Sequence, residues 1–214
     1  MVSTLSIFTI KKKRKFIYLI SPDKIDNIHL FSIELEKILR LRKVSFFQLR
    51  LKNYKEKEII SIGRKIKKIC KKHKTKFIVN DKPFIAKKIG ADGCHLGQKD
   101  MKYSKARKII REKIIGITCH NSKTLINKFI KLRPSYIAIG AFFKSTTKRV
   151  RYKANISLLK YAKSVTKIPI VTIGGINNKN YKKLLLNNAN FLAISGYIWN
   201  NKKYKPYEAI EKLK

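Results

Sequence analysis

Acidic residues, cysteine and long apolar runs are all scarce in this sequence. Only 12 of the 214 residues are Asp or Glu, against 52 Lys and Arg, which gives a formal net charge of +40. The three cysteines form no C-x-x-C pair, which argues against a disulfide framework and favours the reducing cytoplasm. No apolar run approaches the roughly eighteen residues of a membrane helix, so we expect no membrane partner.

The positive charge has two explanations. A strongly basic chain suits nucleic acid or another polyanion as its partner. Here, however, the lysines run along the whole length together with many Ile and Asn, which indicates a drift of composition. We therefore expect no specific nucleic-acid partner, although a basic surface would still speed the capture of small phosphorylated molecules.

Short β-branched or aromatic runs alternate with longer amphipathic stretches of helical period, and this alternation occurs eight times. With 44% hydrophobic residues the chain can also bury a sizeable core. The predicted strands are 16–20, 45–49, 77–79, 93–96, 114–118, 136–139, 170–173 and 191–194. Helices are predicted between them, for example at 59–70, 123–132 and 179–186.

Eight strand–helix units without an intervening linker favour one α/β domain folded as a (β/α)8 TIM barrel, which we place at residues 15–214. An open sheet of about five or six strands is the structural alternative. Residues 1–14 are interpreted as a poorly ordered basic leader, because their apolar run precedes the basic run, the reverse of an export signal. In a barrel, active-site groups gather at the C-terminal ends of the strands.

The second predicted strand runs into Gln48, Arg50 and Lys52, which the extended period places on one side, with Leu49 and Leu51 on the other. Cationic donors at a barrel mouth suit an anionic, phosphate-like ligand. The alternative is a solvated basic segment, and this run alone does not decide between the two.

Two carboxylates follow the third and fourth strands, one in Asn80-Asp81 and one at Asp100. Few carboxylates with room for water and phosphate oxygens are typical of a magnesium site rather than a zinc site. The alternatives are a turn former at Asp81 and a helix N-cap at Asp100. Asp92, just before the fourth strand, is expected at the opposite rim.

The fifth strand is followed by Cys119 and His120, and Thr118 and His120 share a side if the extended phase persists. A nucleophile at Cys119 is disfavoured, because its side chain points the other way and free Cys usually packs as a small hydrophobe. His120 is either a proton carrier or a rim histidine. His95, within the fourth strand, is interpreted as structural.

Hydroxyls and glycines follow the last three strands. The loop Ser145-Thr146-Thr147-Lys148 offers hydroxyl donors and a cation to phosphate oxygens. Gly174-Gly175 follows the seventh strand and Ile194-Ser195-Gly196 the eighth, where barrels often bind phosphate on backbone amides. Each glycine pair alone is a weak signal, since glycine is also the ordinary turn residue.

Taken in order, these blocks resemble the thiamine-phosphate synthase family. They are Gln48-x-Arg50-x-Lys52, Asn80-Asp81, Asp92-Gly93-Cys94-His95-Leu96-Gly97-Gln98-x-Asp100, Gly116-Ile117-Thr118-Cys119-His120, Ser145-x-Thr147-Lys148 and Ile173-Gly174-Gly175-Ile176. The match spans residues 16–198, and the stretch 80–101 is its most specific part. Lys144-Ser145 stands where the family usually has Pro-Thr, which keeps the hydroxyl but adds a cation and loses a stiff residue.

The resemblance implies a transferase that joins 4-amino-5-hydroxymethyl-2-methylpyrimidine diphosphate to a thiazole phosphate, forming thiamine phosphate and releasing pyrophosphate. It implies Mg2+ as cofactor, held by Asp81 and Asp100. By the same analogy, the pyrimidine diphosphate would be contacted by Gln48, Arg50, Lys52, Asn80, Thr118 and Lys148. The thiazole phosphate would be surrounded by Ser145, Thr146, Thr147, Gly175, Ile194 and Ser195. The residues expected to be catalytic are Arg50, Lys52, Thr118 and Lys148.

Two other functions stay open, and the oligomeric state is not indicated. A thiazole tautomerase of the same superfamily would use His120 as a proton shuttle, but it has no use for a pair of magnesium carboxylates, so Asp81 and Asp100 favour the synthase. A non-enzymatic protein that binds nucleic acid would need basic clusters interleaved with exposed aromatics. The rim motifs lie instead where a barrel needs catalytic groups.

Overall fold

The computed structural model describes residues 15–144 and 152–214. Two of the sequence predictions lie outside these ranges, the leader at 1–14 and the loop residues Ser145, Thr146, Thr147 and Lys148. None of the described helices is long and apolar enough to cross a lipid bilayer.

Eight parallel strands close into a barrel in which each strand pairs with its neighbours in the chain and the first pairs with the last. The strands are β1 (Ile17–Ile20), β2 (Val44–Leu49), β3 (Lys76–Asn80), β4 (Gly93–Leu96), β5 (Ile114–His120), β6 (Tyr136–Gly140), β7 (Ile170–Ile173) and β8 (Phe191–Ile194). The predicted barrel is confirmed, and the open sheet is wrong. Three predicted strands have the observed bounds, four differ by one or two residues at one end, and β3 is longer than predicted by one residue at each end.

Helices connect the strands on the outside of the barrel. They are α1 (Ile28–Arg40), α2 (Glu56–Lys72), α3 (Pro83–Ile89), α4 (Tyr103–Ile110), α5 (Lys123–Ile130), α6 (Ile156–Val165), α7 (Tyr181–Leu186), α8 (Gly196–Trp199) and α9 (Pro206–Glu211). Helix α1 begins after Asn27, whose side chain accepts hydrogen bonds from two backbone N–H groups of the first turn. Helix α3 begins at Pro83 and ends before Gly90, which has a φ of 70°. Such capping residues determine where each connecting helix begins and ends.

Apolar side chains fill two layers of the molecule. The larger layer lies between strands and helices, where Phe47 and Phe77 are fully buried. The smaller layer lies inside the barrel and includes Tyr18, Tyr136 and Val171. The strands are thus buried on both faces, as their continuous apolar runs predict. Two of the interior side chains carry hydroxyls, and these matter for the site above them.

Asp92 lies at the N-terminal end of the barrel. Its carboxylate accepts a hydrogen bond from the backbone N–H of Phe77 at 2.8 Å and lies 3.3 Å from the Lys76 ammonium, both at the start of β3. The expectation that Asp92 belongs to the rim opposite the other carboxylates is confirmed.

Candidate active site

A cavity of about 630 Å³ opens at the C-terminal ends of the strands. Residues from all eight strands or from the loops that follow them line its wall. Every predicted site residue that the structure describes is among them: Gln48, Arg50, Lys52, Asn80, Asp81, Asp100, Thr118, Gly175, Ile194 and Ser195. Closure of the barrel therefore gathers into one cavity residues that lie far apart in the sequence.

The end of β2 supplies polar groups to the cavity, while Leu49 and Leu51 are buried on the other side. Gln48 is only 3% exposed, and its Nε2 donates to Asn80 Oδ1 at 2.5 Å, so the two amides orient each other. The Arg50 guanidinium donates to the Asp23 carboxylate at 2.5 Å.

Asp81 and Asp100 both line the cavity, and their carboxyl groups lie close enough for each to affect the other's charge. Asp81 follows β3 with a φ of 62°, and its backbone N–H donates to the His95 carbonyl at 2.8 Å. Asp100 Oδ2 accepts from the Gly97 backbone N–H at 2.6 Å. Helix α4 has Lys102, not Asp100, at its N-cap, so the N-cap interpretation of Asp100 is wrong. Two distant loops are thus held so that their acids touch.

Burial and the neighbouring acid both shift the pKa of Asp81. Burial, the largest cause, and the neighbouring Asp100 together raise the pKa of the Asp81 carboxyl to about 6, although Lys52 and Arg50 act in the opposite direction. The Lys52 ammonium lies 3.8 Å from the Asp81 carboxylate. Two carboxylates this close favour either a shared proton or a cation between them. Within the described residues no third acid, histidine or cysteine joins the pair to form a larger cluster.

The end of β5 bends so that Thr118 and His120 both reach the cavity wall. The register with β6 shifts between these two residues, and His120 has a φ of 50°. Its ring stacks on Tyr152 with centroids 4.3 Å apart, and burial lowers the pKa of the imidazole. Cys119 between them is buried, and burial raises the pKa of its thiol to about 12. A thiol so far from ionisation is a poor nucleophile at neutral pH, as the sequence predicts.

Glycines bring the end of β7 against the chain that follows β6. Gly175 has a φ of 62°, and a Cβ atom there would lie 2.1 Å from the Lys144 carbonyl oxygen. The Phe143 backbone N–H donates to the Gly174 carbonyl at 3.0 Å. Packing of the backbone therefore gives Gly175 a sufficient reason to be glycine, apart from any ligand. On the next strand, the Ser195 hydroxyl donates to the Ser21 carbonyl at 3.0 Å.

Sequence reasoning missed three groups in the cavity wall. Tyr18 and Tyr136 enter it from inside the barrel, and Asp23 pairs with Arg50. His95, interpreted as structural, also lines the cavity and is hydrogen-bonded to Thr118. The strands are apolar on both faces, so the sequence gives no signal of which phase points inward. Tyr136 pairs in register with Gly116, two residues before the inward Thr118, and only this pairing between strands shows that it points inward.

Comparison with known proteins agrees with this geometry. The sequence model of a family described as thiamine monophosphate synthase matches residues 17–198. The chain belongs to this family. The resemblance drawn from the sequence is therefore confirmed, and with it the enzyme class, a transferase of thiamine biosynthesis.

Individual relatives cover nearly the whole chain. A thiamine-phosphate synthase of Pelagibacter ubique (strain HTCC1062) is 60% identical, over 95% of this chain and 98% of the relative. A thiamine-phosphate synthase of Erythrobacter litoralis (strain HTCC2594) is 38% identical, over 86% of this chain and 88% of the relative. Among solved structures, a thiamine phosphate pyrophosphorylase from Pyrococcus furiosus superposes with a TM-score of 0.82 over 93% of both chains, at 24% identity. This structure supports the fold. Names shared by the sequence relatives favour the synthase over the tautomerase.

Proposed function

We propose that the chain condenses 4-amino-5-hydroxymethyl-2-methylpyrimidine diphosphate with a thiazole phosphate to give thiamine phosphate and pyrophosphate. The observation that supports this best is the contact of Asp81 with Asp100 beside Lys52, at the rim of a cavity large enough for two small ring compounds. Family membership supports the same reaction. Neither the tautomerase nor a nucleic-acid-binding protein needs such an acidic pair.

Asp81 and Asp100 are proposed to hold Mg2+. The residues fit this ion, because two touching carboxylates repel when both are charged and a cation relieves that repulsion. Magnesium usually takes few protein carboxylates and leaves positions for water and phosphate oxygens. When bound there, the ion would neutralise negative charge on the diphosphate.

Arg50, Lys52 and Lys148 are proposed to stabilise the departing pyrophosphate. Charge grows on the phosphate oxygens as the bond to the pyrimidine methylene carbon breaks, and fixed cations lower the energy of that state. Arg50 is already held at the mouth by Asp23, and Lys52 lies beside the acidic pair. Lys148 rests on the resemblance alone, since it is outside the described residues. No protein nucleophile is required, because the thiazole nitrogen takes the carbon directly.

The remaining residues are proposed to orient the two rings. Gln48 and Asn80 fix each other's amides on the pyrimidine side, and Thr118 adds a hydroxyl there. Gly175, Ile194 and Ser195 line the opposite part of the wall, where the resemblance puts the thiazole phosphate together with Ser145, Thr146 and Thr147. Holding both rings face to face and excluding water accounts for much of the rate gain in such reactions.

The cytoplasm is the proposed location, and small phosphorylated molecules are the proposed partners. Cys70, Cys94 and Cys119 are all free and buried, which fits a compartment where thiols stay reduced. No specific nucleic-acid partner is proposed.

One assay tests the reaction. Purified protein is incubated with both phosphorylated substrates and Mg2+, and the products are separated by chromatography. We expect thiamine phosphate and pyrophosphate in equal amounts, and no product when a chelator removes the metal. Isomerisation of the thiazole phosphate in the absence of the pyrimidine substrate, with no thiamine phosphate formed, would replace the synthase by the tautomerase.

A further inference from the structure

Four side chains form a continuous hydrogen-bonded row from the barrel interior to the cavity. The Tyr18 and Tyr136 hydroxyl oxygens are 2.7 Å apart. The Tyr136 hydroxyl lies 2.9 Å from His95 Nδ1, and His95 Nε2 lies 2.8 Å from Thr118 Oγ1. The row therefore ends at a residue that the proposed function places against the pyrimidine substrate.

The inner end of the row is almost fully buried. Tyr18 is 1% exposed and Tyr136 is 2% exposed, and both rings pack against Phe46. Burial raises the pKa of both phenols well above the ordinary value, so each keeps its proton. Among the described residues, the Tyr18 hydroxyl has only the Tyr136 hydroxyl as a hydrogen-bond partner.

Glycine at position 116 makes room for the central tyrosine. A Cβ atom on Gly116 would lie 1.9 Å from Tyr136 Cζ and 2.3 Å from its hydroxyl oxygen. No rotation of a flexible neighbour relieves such an overlap, because the atoms belong to a rigid, buried ring. Gly116 in β5 and Tyr136 in β6 thus fit together in a way that seats the hydroxyl between Tyr18 and His95.

Counting protons fixes the direction of the row. Two hydrogen bonds join Tyr18, Tyr136 and His95, and the two phenol hydroxyls supply one proton for each of these bonds. If Nδ1 also carried a proton, three protons would compete for two contacts, and one buried hydroxyl would be left without an acceptor. An unpaired buried donor costs about 1–3 kcal/mol. Tyr18 therefore donates to Tyr136, Tyr136 donates to Nδ1, and the imidazole proton is on Nε2.

The same count of protons determines which group donates at the outer end of the row, between His95 and Thr118. Nε2–H donates to Thr118 Oγ1, so the Thr118 hydroxyl cannot donate back to the imidazole. Its own proton must go elsewhere, and the side chain lines the cavity.

We propose that Tyr18, Tyr136 and His95 are positioning residues that fix the Thr118 hydroxyl as a hydrogen-bond donor to an acceptor atom of the bound pyrimidine diphosphate. The identity of that ligand rests on the proposed function, whereas the direction of the row does not. A substrate analogue with a donor group at the matching position would meet a second donor and bind poorly.

Nitrogen NMR of the free protein tests the direction. Long-range proton–nitrogen spectra distinguish the two imidazole tautomers, and a His95→Gln variant identifies the His95 signals. We expect the Nε2–H tautomer in the wild type at neutral pH. Tyr18→Phe should keep it, because Tyr136 still donates to Nδ1, and Tyr136→Phe should shift the Nδ1 resonance, because that nitrogen loses its donor. An Nδ1–H tautomer or a doubly protonated ring in the wild type would overturn the proposal. That spectrum decides even if Tyr136→Phe fails to fold or the protein makes no thiamine phosphate.

Kinetics test the role of the row in catalysis. We expect Thr118→Val to lower kcat/KM about 10- to 100-fold, the usual effect of removing a hydrogen bond to a charged or polar group, and Thr118→Ser to restore most of it. Tyr136→Phe should lower kcat/KM by a smaller factor, and the double variant should be no worse than Thr118→Val alone. If the two factors instead multiply, Tyr136 acts independently of Thr118 and the proposal fails.

Discussion

Asp81 is largely buried and lies beside a second acid, Asp100, and both effects, burial first, raise its pKa to about 6. Without a cation, the pair is therefore unfavourable for folding at neutral pH. Raising the pKa of a carboxyl from 3.8 to about 6 corresponds to a free-energy cost of roughly 3 kcal/mol for its charged form in the folded protein. Because the Asp81 side chain is partly open to solvent, screening reduces this to about 1 kcal/mol. Such a cost is expected where residues are arranged for a ligand rather than for stability.

We expect Asp81→Asn to stabilise the metal-free protein. Asn can still donate a hydrogen bond to Asp100 and tolerates the left-handed backbone at this position. The midpoint of thermal unfolding should rise by about 2–4 °C in a chelating buffer. Added Mg2+ should raise the midpoint of the wild type but not of the variant. A lower midpoint for the variant in chelator would contradict the repulsion argument.

The Asp81–Asp100 pair also predicts that the stability of the metal-free protein depends on pH. A carboxyl whose pKa is higher in the folded state than in the unfolded state destabilises the fold above its folded pKa, and the penalty disappears as pH falls towards the unfolded value. The difference in unfolding midpoint between Asp81→Asn and the metal-free wild type should therefore shrink between pH 7 and about pH 4. Calorimetry of both proteins measures it, and a difference that stays constant across this range would rule out Asp81 as the titrating group.

Single residues also mark the limit of sequence reasoning. Asp81 and Asp100 could be found because acidic residues are rare in this chain and both follow predicted strands. Tyr18 and Tyr136 could not, because both faces of their strands are apolar and a tyrosine inside a barrel has the same local pattern as one on its outside. The position of their partner His95 within β4 likewise indicates a structural residue rather than a site residue.

Among the secondary-structure elements, the turns after β7 and β6 depend on each other. Gly175 is left-handed and touches the backbone of Lys144, so any side chain there must displace the start of the loop after β6. The period of apolar residues predicts the strands well, and the glycine pair predicts a turn. The sequence could not show that the turn presses on a different loop, since such contacts depend on how the barrel closes.

We expect Gly175→Ala to lower turnover at least about 10-fold and to cost about 1–3 kcal/mol of stability, because a non-glycine residue is strained at this φ. Gly63→Ala in α2 is the matched control. A Cβ atom there would lie 2.6 Å from the end of the Ile89 side chain and 3.5 Å from Leu49 Cδ2, neither Gly63 nor Ile89 lines the cavity, and Ala favours the helix. Steady-state rates and unfolding midpoints compare the two variants. Normal turnover in Gly175→Ala would show that the loop position does not matter.

At the scale of the whole molecule, the closed barrel could be predicted because all eight strand–helix units are regular. The net charge of +40, by contrast, is a property of the composition and does not bear on the fold. Such a field should still attract a diphosphate from solution. Salt screens charges over about 10 Å at 0.1 M ionic strength and over shorter distances above it.

We therefore expect KM for the pyrimidine diphosphate to rise several-fold as ionic strength increases from about 0.05 to 0.5 M, with a smaller change in kcat. A neutral osmolyte at matched osmolality serves as the control. An unchanged KM over this range would mean that the surface charge does not contribute to substrate capture.

The pairing of Asp81 with Asp100 at the cavity mouth is the feature on which the proposed reaction depends most. The direct measurement is the initial rate of thiamine phosphate formation by Asp100→Asn over a range of Mg2+ concentrations. Asp26→Asn serves as the control, since Asp26 is an exposed acid outside the cavity. We expect Asp100→Asn to lose about 100-fold or more in rate while remaining folded, and Asp26→Asn to keep wild-type rates. Rates for Asp100→Asn close to those of the control would contradict the assignment of this pair to catalysis.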